Sequence, residues 1–198
     1  MRVAGVASLI CDNYYLSLNK DAIITACLLH DMGNILKFNF DVFPEEFYGT
    51  QGREYWEKVK QGFKEKYGED EHKAAYAIAE ELTVSATVMN LLKSIGFRDA
   101  QATFESDDYG LKVTCYSDHR VSPFGITSMH ERFEEGRERN MKNRPGKFTK
   151  SGFDELAGYW YKVEKQIFAH CKIKPEDITD ENVNPLVDGL RSFETKVN

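Results

Sequence analysis

The stretch Thr25-Ala-Cys-Leu-Leu-His30-Asp31-Met-Gly33-Asn34 constrains this chain more than any other. It reads as an apolar helix that ends on an imidazole and a carboxylate and is followed at once by a glycine. At helical period Ile23, Cys27 and His30 share one face and Ile24, Leu28 and Asp31 the next, so both polar groups are expected to point where the aliphatic side chains point. A buried carboxylate needs a cation or hydrogen bonds to offset its desolvation. Two arrangements meet that need, a metal site or a capped, hydrogen-bonded helix end.

The rest of the chain reads as helix after helix. Residues 2–17 form the first, and Asn19 or Asp21 caps a second that runs to about Asp31, where Gly33 and Asn34 stop it. Residues 35–50 are irregular and rich in aromatics: Phe38, Phe40, Phe43, Phe47 and Tyr48. Further helices are expected over 55–67, over 71–82 with Asp70 as cap, over 84–95, over 110–121 and from Thr127 or Ser128 to about Asn143. Residues 99–108 read as connecting chain and 143–147 as a turn. A long helix over 150–172, with Trp160, Tyr161 and Phe168 as core, and a last one over 182–193 complete the pattern. Strand alternation is almost absent. With 198 residues, 41% hydrophobic, 29% charged and only five prolines, the chain suits one all-α helical domain. Residues 1–142 are expected to form its core, with 143–198 as C-terminal helices packed on the same domain.

Charge and cysteines narrow the class. A net charge of −6 argues against a nucleic-acid partner, because such proteins neutralise phosphates with a basic face. Cys11, Cys27, Cys115 and Cys171 show no paired spacing, which suggests neither a zinc ribbon nor a disulfide framework and fits small buried thiols in a reducing cytoplasm better. The apolar N-terminal run is broken at Asp12, well short of a membrane span, so no membrane partner is expected.

Two more polar residues stand on apolar stripes. Asp118 falls between Cys115 and Val121, and His72 extends the stripe Ala75, Ala79, Leu82 back to the first turn of its helix. His119, His130 and His170 lie on charged or mixed faces and read as solvated. One imidazole and two carboxylates, His30, Asp31 and Asp118, make a donor set suited to a divalent ion: Mn, Fe, Mg or Zn.

These residues, in this order, resemble the HD-domain metal-dependent phosphohydrolase superfamily, whose pattern is a first His, a His-Asp pair and a distant Asp on helices of one bundle. The resemblance runs over about residues 2–140, through Arg2-Val3-Ala4, Leu28-Leu-His30-Asp31-Met-Gly33-Asn34 and Tyr116-Ser-Asp118-His-Arg120-Val. The segments Gly125-Ile-Thr-Ser-Met-His-Glu-Arg132 and Glu71-His72-Lys-Ala-Ala-Tyr-Ala-Ile also resemble stretches of some members. The resemblance departs from the family at two points. The family's first His falls a few positions before Arg2, ahead of Met1, and Asn34 stands where many members carry a Lys.

The resemblance implies an HD-type bundle in which His30, Asp31 and Asp118 hold the metal and act in catalysis. The substrate it implies is a nucleotide or another small phosphate ester, hydrolysed by metal-activated water. Lys37, His72, Arg120 and Arg132 are its candidate substrate-binding residues. Arg132 also has Glu134 and Glu135 as partners on its own helix, and Arg120 has a role beside Asp118 open to it. The missing first His carries a second reading, a catalytically silent HD-like domain that binds a nucleotide or a partner. A third is a helical interaction protein whose inward polar groups are hydrogen-bonded core residues.

Overall fold

The structure is a computed structural model, and it describes residues 1–42, 44–143 and 148–195. In chain order the helices are α1 (Arg2–Asp12), α2 (Lys20–Leu29), α3 (Gly52–Tyr67), α4 (Glu71–Glu81), α5 (Ala86–Ser94), α6 (Ala100–Glu105), α7 (Tyr109–Asp118), α8 (Met129–Asn143), α9 (Lys150–Phe168) and α10 (Asp180–Gly189). A two-residue hairpin pairs β1 (Val121–Ser122) with β2 (Gly125–Ile126). The fold is all-α, as its helical periodicity dictates. No helix among the described residues is long and apolar enough to cross a membrane. Contacts divide the chain into two compact units, Met1–Leu28 with Ala86–Lys196 and, separately, Leu29–Ser85.

The first unit is built around α1 and α7. Val3, Ala4, Val6, Ala7 and Ile10 bury one side of α1 after another, and Gly5 lets α10 approach closely. A Cβ on Gly5 would meet Val183 Cγ1 and Val187 Cγ2 at 2.8 Å. Residues 112–117 of α7 are all buried. A helix enclosed on every side must satisfy its hydroxyls internally, and Thr114 and Ser117 donate to the carbonyls of Gly110 and Val113 one turn back. The stripe Phe153, Ala157, Trp160, Val163, Ile167 packs α9 against α6 and α7. The indole N–H of Trp160 donates to the Phe97 carbonyl at 3.1 Å.

In the second unit three 3-10 segments, Asn34–Lys37, Phe40–Val42 and Glu45–Gln51, lead into α3 and α4. Their aromatics pack on one another: Phe40 stands between Phe38 and Tyr48, and Phe47 packs edge-on to Tyr48. Trp56 of α3 ties the cluster down by donating to the Tyr48 carbonyl. Asp70 caps α4 as expected, accepting from the backbone N–H groups of His72 and Lys73.

Several helices differ in extent from the sequence expectation. The first ends at Asp12, not 17, because Asn13 folds back onto the Leu9 carbonyl and Tyr14 enters a bridge with Cys171. Backbone pairing there satisfies the groups a further helical turn would have used. Residues 99–108 are not plain connection, since α6 forms where Ala100 and Thr103 find buried places. The helix expected to reach Val121 stops at Asp118, and Val121 pairs across the hairpin instead. Of the turn expected over 143–147, Asn143 ends α8, and residues 144–147, like Phe43, lie outside the described residues.

Candidate metal centre

His30 and Asp31 sit just past the end of α2, at the start of the second unit. There the chain passes directly into the 3-10 segment that follows, through N–H bonds of Met32 to Leu29 and of Asn34 to Asp31. The His30 side chain is 9% exposed and its Nε2 lies 3.1 Å from Asp31 Oδ2, whose side chain is 57% exposed. Asp31 therefore departs from its expected inward position: with α2 ended at Leu29, helical period no longer sets its direction.

The donor pair fits a divalent ion. Its donors, an imidazole nitrogen and a hard carboxylate oxygen in direct contact at 3.1 Å, are of the types such an ion takes and would hold it together with further ligands.

Asp118 is the half-buried last residue of α7, in the first unit. Two neighbours in that unit feel its charge: burial raises the pKa of the Cys27 thiol on α2 and the Asp118 charge adds to that rise, while burial lowers the pKa of His119 and the Asp118 charge opposes it. Among the described residues no group of three or more His, Cys, Asp or Glu side chains is gathered for a metal ion.

The other expected site residues are spread out. Lys37 closes the first 3-10 segment with its side chain 44% exposed, and its Nζ lies 3.9 Å from Glu71 Oε1. His72 is exposed on the first turn of α4 rather than continuing the apolar stripe, which begins at Ala74. Arg132 pairs with Glu135 on its own helix at 2.6 Å.

Arg120 departs furthest from its expectation. It is 3% exposed. Its Nε donates to the Thr127 carbonyl at 2.7 Å, and its Nη atoms donate to the Pro175 and Ile178 carbonyls. Nη1 also donates to the Tyr116 hydroxyl at 2.6 Å, which in turn donates to Glu164 Oε2 at 2.6 Å. This buried cation staples the hairpin and residues 175–178 to α7, with its charge relayed through Tyr116 to a carboxylate. Its donors are engaged within the protein and are not directed to a phosphate.

His119 also corrects its expectation. It is 6% exposed, not solvated, and lies edge-on to Trp160, Phe133 and Phe97. Burial pushes its pKa down to about 4; the Asp118 charge opposes that shift and the Arg132 charge adds to it. Helical spacing could not find this residue, because it stands one position beyond the end of α7. The four cysteines are free, and Cys27, Cys115 and Cys171 are buried. Burial pushes the Cys115 thiol up to about 12 and that of Cys171 up to about 11, so neither is a thiolate at neutral pH.

Comparison with known proteins gives one match. The model of the HD domain family matches residues 1–96, a stretch that contains His30 and Asp31 and ends before Asp118. No curated protein and no solved structure matches the chain. Residues 1–96 thus carry an HD domain, with the His30-Asp31 pair just past a helix end.

Proposed function

We propose that this protein is a metal-dependent phosphohydrolase that acts on a nucleotide or another small phosphate ester, with His30, Asp31 and Asp118 as metal ligands. The observation that carries the reading is the 3.1 Å approach of His30 Nε2 to Asp31 Oδ2 at the end of α2, inside the stretch that matches the HD domain. Asp118 enters the reading as the distant Asp of the HD pattern that the sequence resembles.

A divalent ion bound there supplies Lewis acidity and acidifies water for attack on phosphorus. The protein's own residues do the rest. His30 offers its imidazole from a nearly enclosed position, which limits competing solvent on that side. Asp31 and Asp118 supply the negative charge that offsets a dication. Lys37 is held only loosely by Glu71 at 3.9 Å, so it is able to turn toward an equatorial phosphoryl oxygen.

The test is metal analysis of the purified full chain together with hydrolysis of p-nitrophenyl phosphate and nucleoside phosphates. The reading expects stoichiometric divalent metal that is lost in Asp118→Ala along with hydrolysis. A wild-type protein that takes up no Mn, Fe, Mg or Zn and hydrolyses none of these esters would overturn it in favour of a silent HD-like binding domain.

A further inference from the structure

A groove of about 530 Å³ runs through the second unit, between the segment 37–41 and one face of α3. Arg53, Glu57, Lys60 and Lys64 supply the α3 wall at spacings of four, three and four, so they form one row along the helix, about 16 Å from end to end. Lys37 and Asp41 face them from the other wall. In a chain of net charge −6, four cations line this groove against two carboxylates.

The pairing of these charges shows which of them is compensated. Arg53 takes up both groove carboxylates, meeting Asp41 at 2.5 Å and Glu57 at 2.6 Å. Lys64 reaches outward to Glu69 at 2.5 Å, and Lys37 is 3.9 Å from Glu71. Lys60 is different. Its ammonium donates to the Phe38 carbonyl at 2.7 Å and stands 5.8 Å from the Phe40 ring centroid. Both partners are neutral, and no carboxylate among the described residues forms an ion pair with it. An ammonium held in place by neutral groups has no carboxylate compensating it and keeps N–H donors to spare, which is the condition for a strong charge-assisted bond to an incoming oxyanion.

We propose that this groove is an oxyanion subsite centred on Lys60 and flanked by Lys37 and Lys64, which takes the oligophosphate portion of a small molecule. Lys60 and Lys64, four residues apart, stand about 6 Å apart along the helix axis, a spacing that suits linked phosphoryl groups better than one. Calling that ligand the substrate rests on the phosphohydrolase reading; the binding itself needs no metal ion.

The test separates the two. Full-length protein in EDTA is titrated calorimetrically with inorganic tripolyphosphate. Saturable one-to-one binding is expected, weakened ~10-fold or more by Lys60→Gln, since a charge-assisted bond is lost, and weakened several-fold by Lys37→Gln. Lys58→Gln, on α3 but outside the groove, and Asp118→Ala are expected to bind as wild type. No saturable binding, unchanged affinity in Lys60→Gln, or equal weakening by Lys58→Gln would overturn the subsite. If Lys60→Gln fails to fold by circular dichroism, the Lys37→Gln/Lys64→Gln double variant decides by the same criteria. A failure of the phosphohydrolase reading shows up separately, as absent metal and absent hydrolysis with tripolyphosphate binding intact.

Discussion

Gly33 lies against the first turn of α4 so closely that a Cβ on it would stand 2.0 Å from the Glu71 carbonyl oxygen and 3.0 Å from the Ala74 Cβ. Its backbone is ordinary, with φ −86° and ψ −4°, so the glycine following the His30-Asp31 pair is needed for space and not for an unusual dihedral angle. The approach holds α4 against the turn that follows His30 and Asp31. It also positions Glu71 beside Lys37.

Gly33→Ala is therefore expected to destabilise. At these dihedrals a Gly→Ala change alone gains about 0.4–1 kcal/mol by restricting the unfolded chain, but the clash is with backbone and cannot be relieved by a rotamer change. A net loss of about 2 kcal/mol or more is expected. Denaturant unfolding measures it, and a variant as stable as wild type would show that α4 moves away at no cost.

His119 makes stability depend on pH. Its folded pKa, about 4, lies below the ordinary 6.5, so the unfolded chain binds the proton more readily. The contribution is complete above about pH 6.5 and is lost as pH falls from there toward 4, amounting to about 3 kcal/mol in all. In EDTA, the stability difference between wild type and His119→Phe is expected to change across that window and to be flat above it. Unfolding midpoints measured from pH 4 to 8 check this.

Arg120→Met is expected to cost about 3–5 kcal/mol, because it removes the cation that donates to the Tyr116 hydroxyl and leaves the carbonyls of Thr127, Pro175 and Ile178 without their donor. Arg120→Lys is expected to recover little, since one ammonium cannot reach acceptors on three segments. Urea unfolding of both variants tests the staple; a Lys variant of wild-type stability would refute it.

Asp70→Ala removes two bonds to the first N–H groups of α4 and is expected to cost about 1 kcal/mol. Asp70→Asn is expected to recover most of that. Amide hydrogen exchange at His72 and Lys73 reads the fraying directly.

Much of the fold is legible in the sequence because local rules govern it. The caps at Asp70 and Ser128, the latter closed by reciprocal bonds with Glu131, follow from residue types at fixed offsets. The stripe of α9 follows from helical period. The short α6, the early end of α1 and the hairpin after α7 depend on partners far along the chain, such as α9, Cys171 and Asp180, and local sequence carries no trace of them. The same division runs through the candidate site. His30 and Asp31 stand out as polar groups ending an apolar helix. Arg120 and His119 look like surface residues by position, yet both are buried, because the segments that cover them arrive from α8, α9 and residues 175–178.

The sequence by itself determined that this chain is helical and that a His-Asp pair ends one of its apolar helices, since periodicity, capping and residue type are local properties. Only the tertiary structure decided which charges are engaged and which are available. It buried Arg120 among carbonyls, enclosed His119 in aromatic rings and brought Lys60 into a groove opposite Lys37. Burial and pairing depend on what the rest of the chain places around a residue, and that is fixed only when the helices pack.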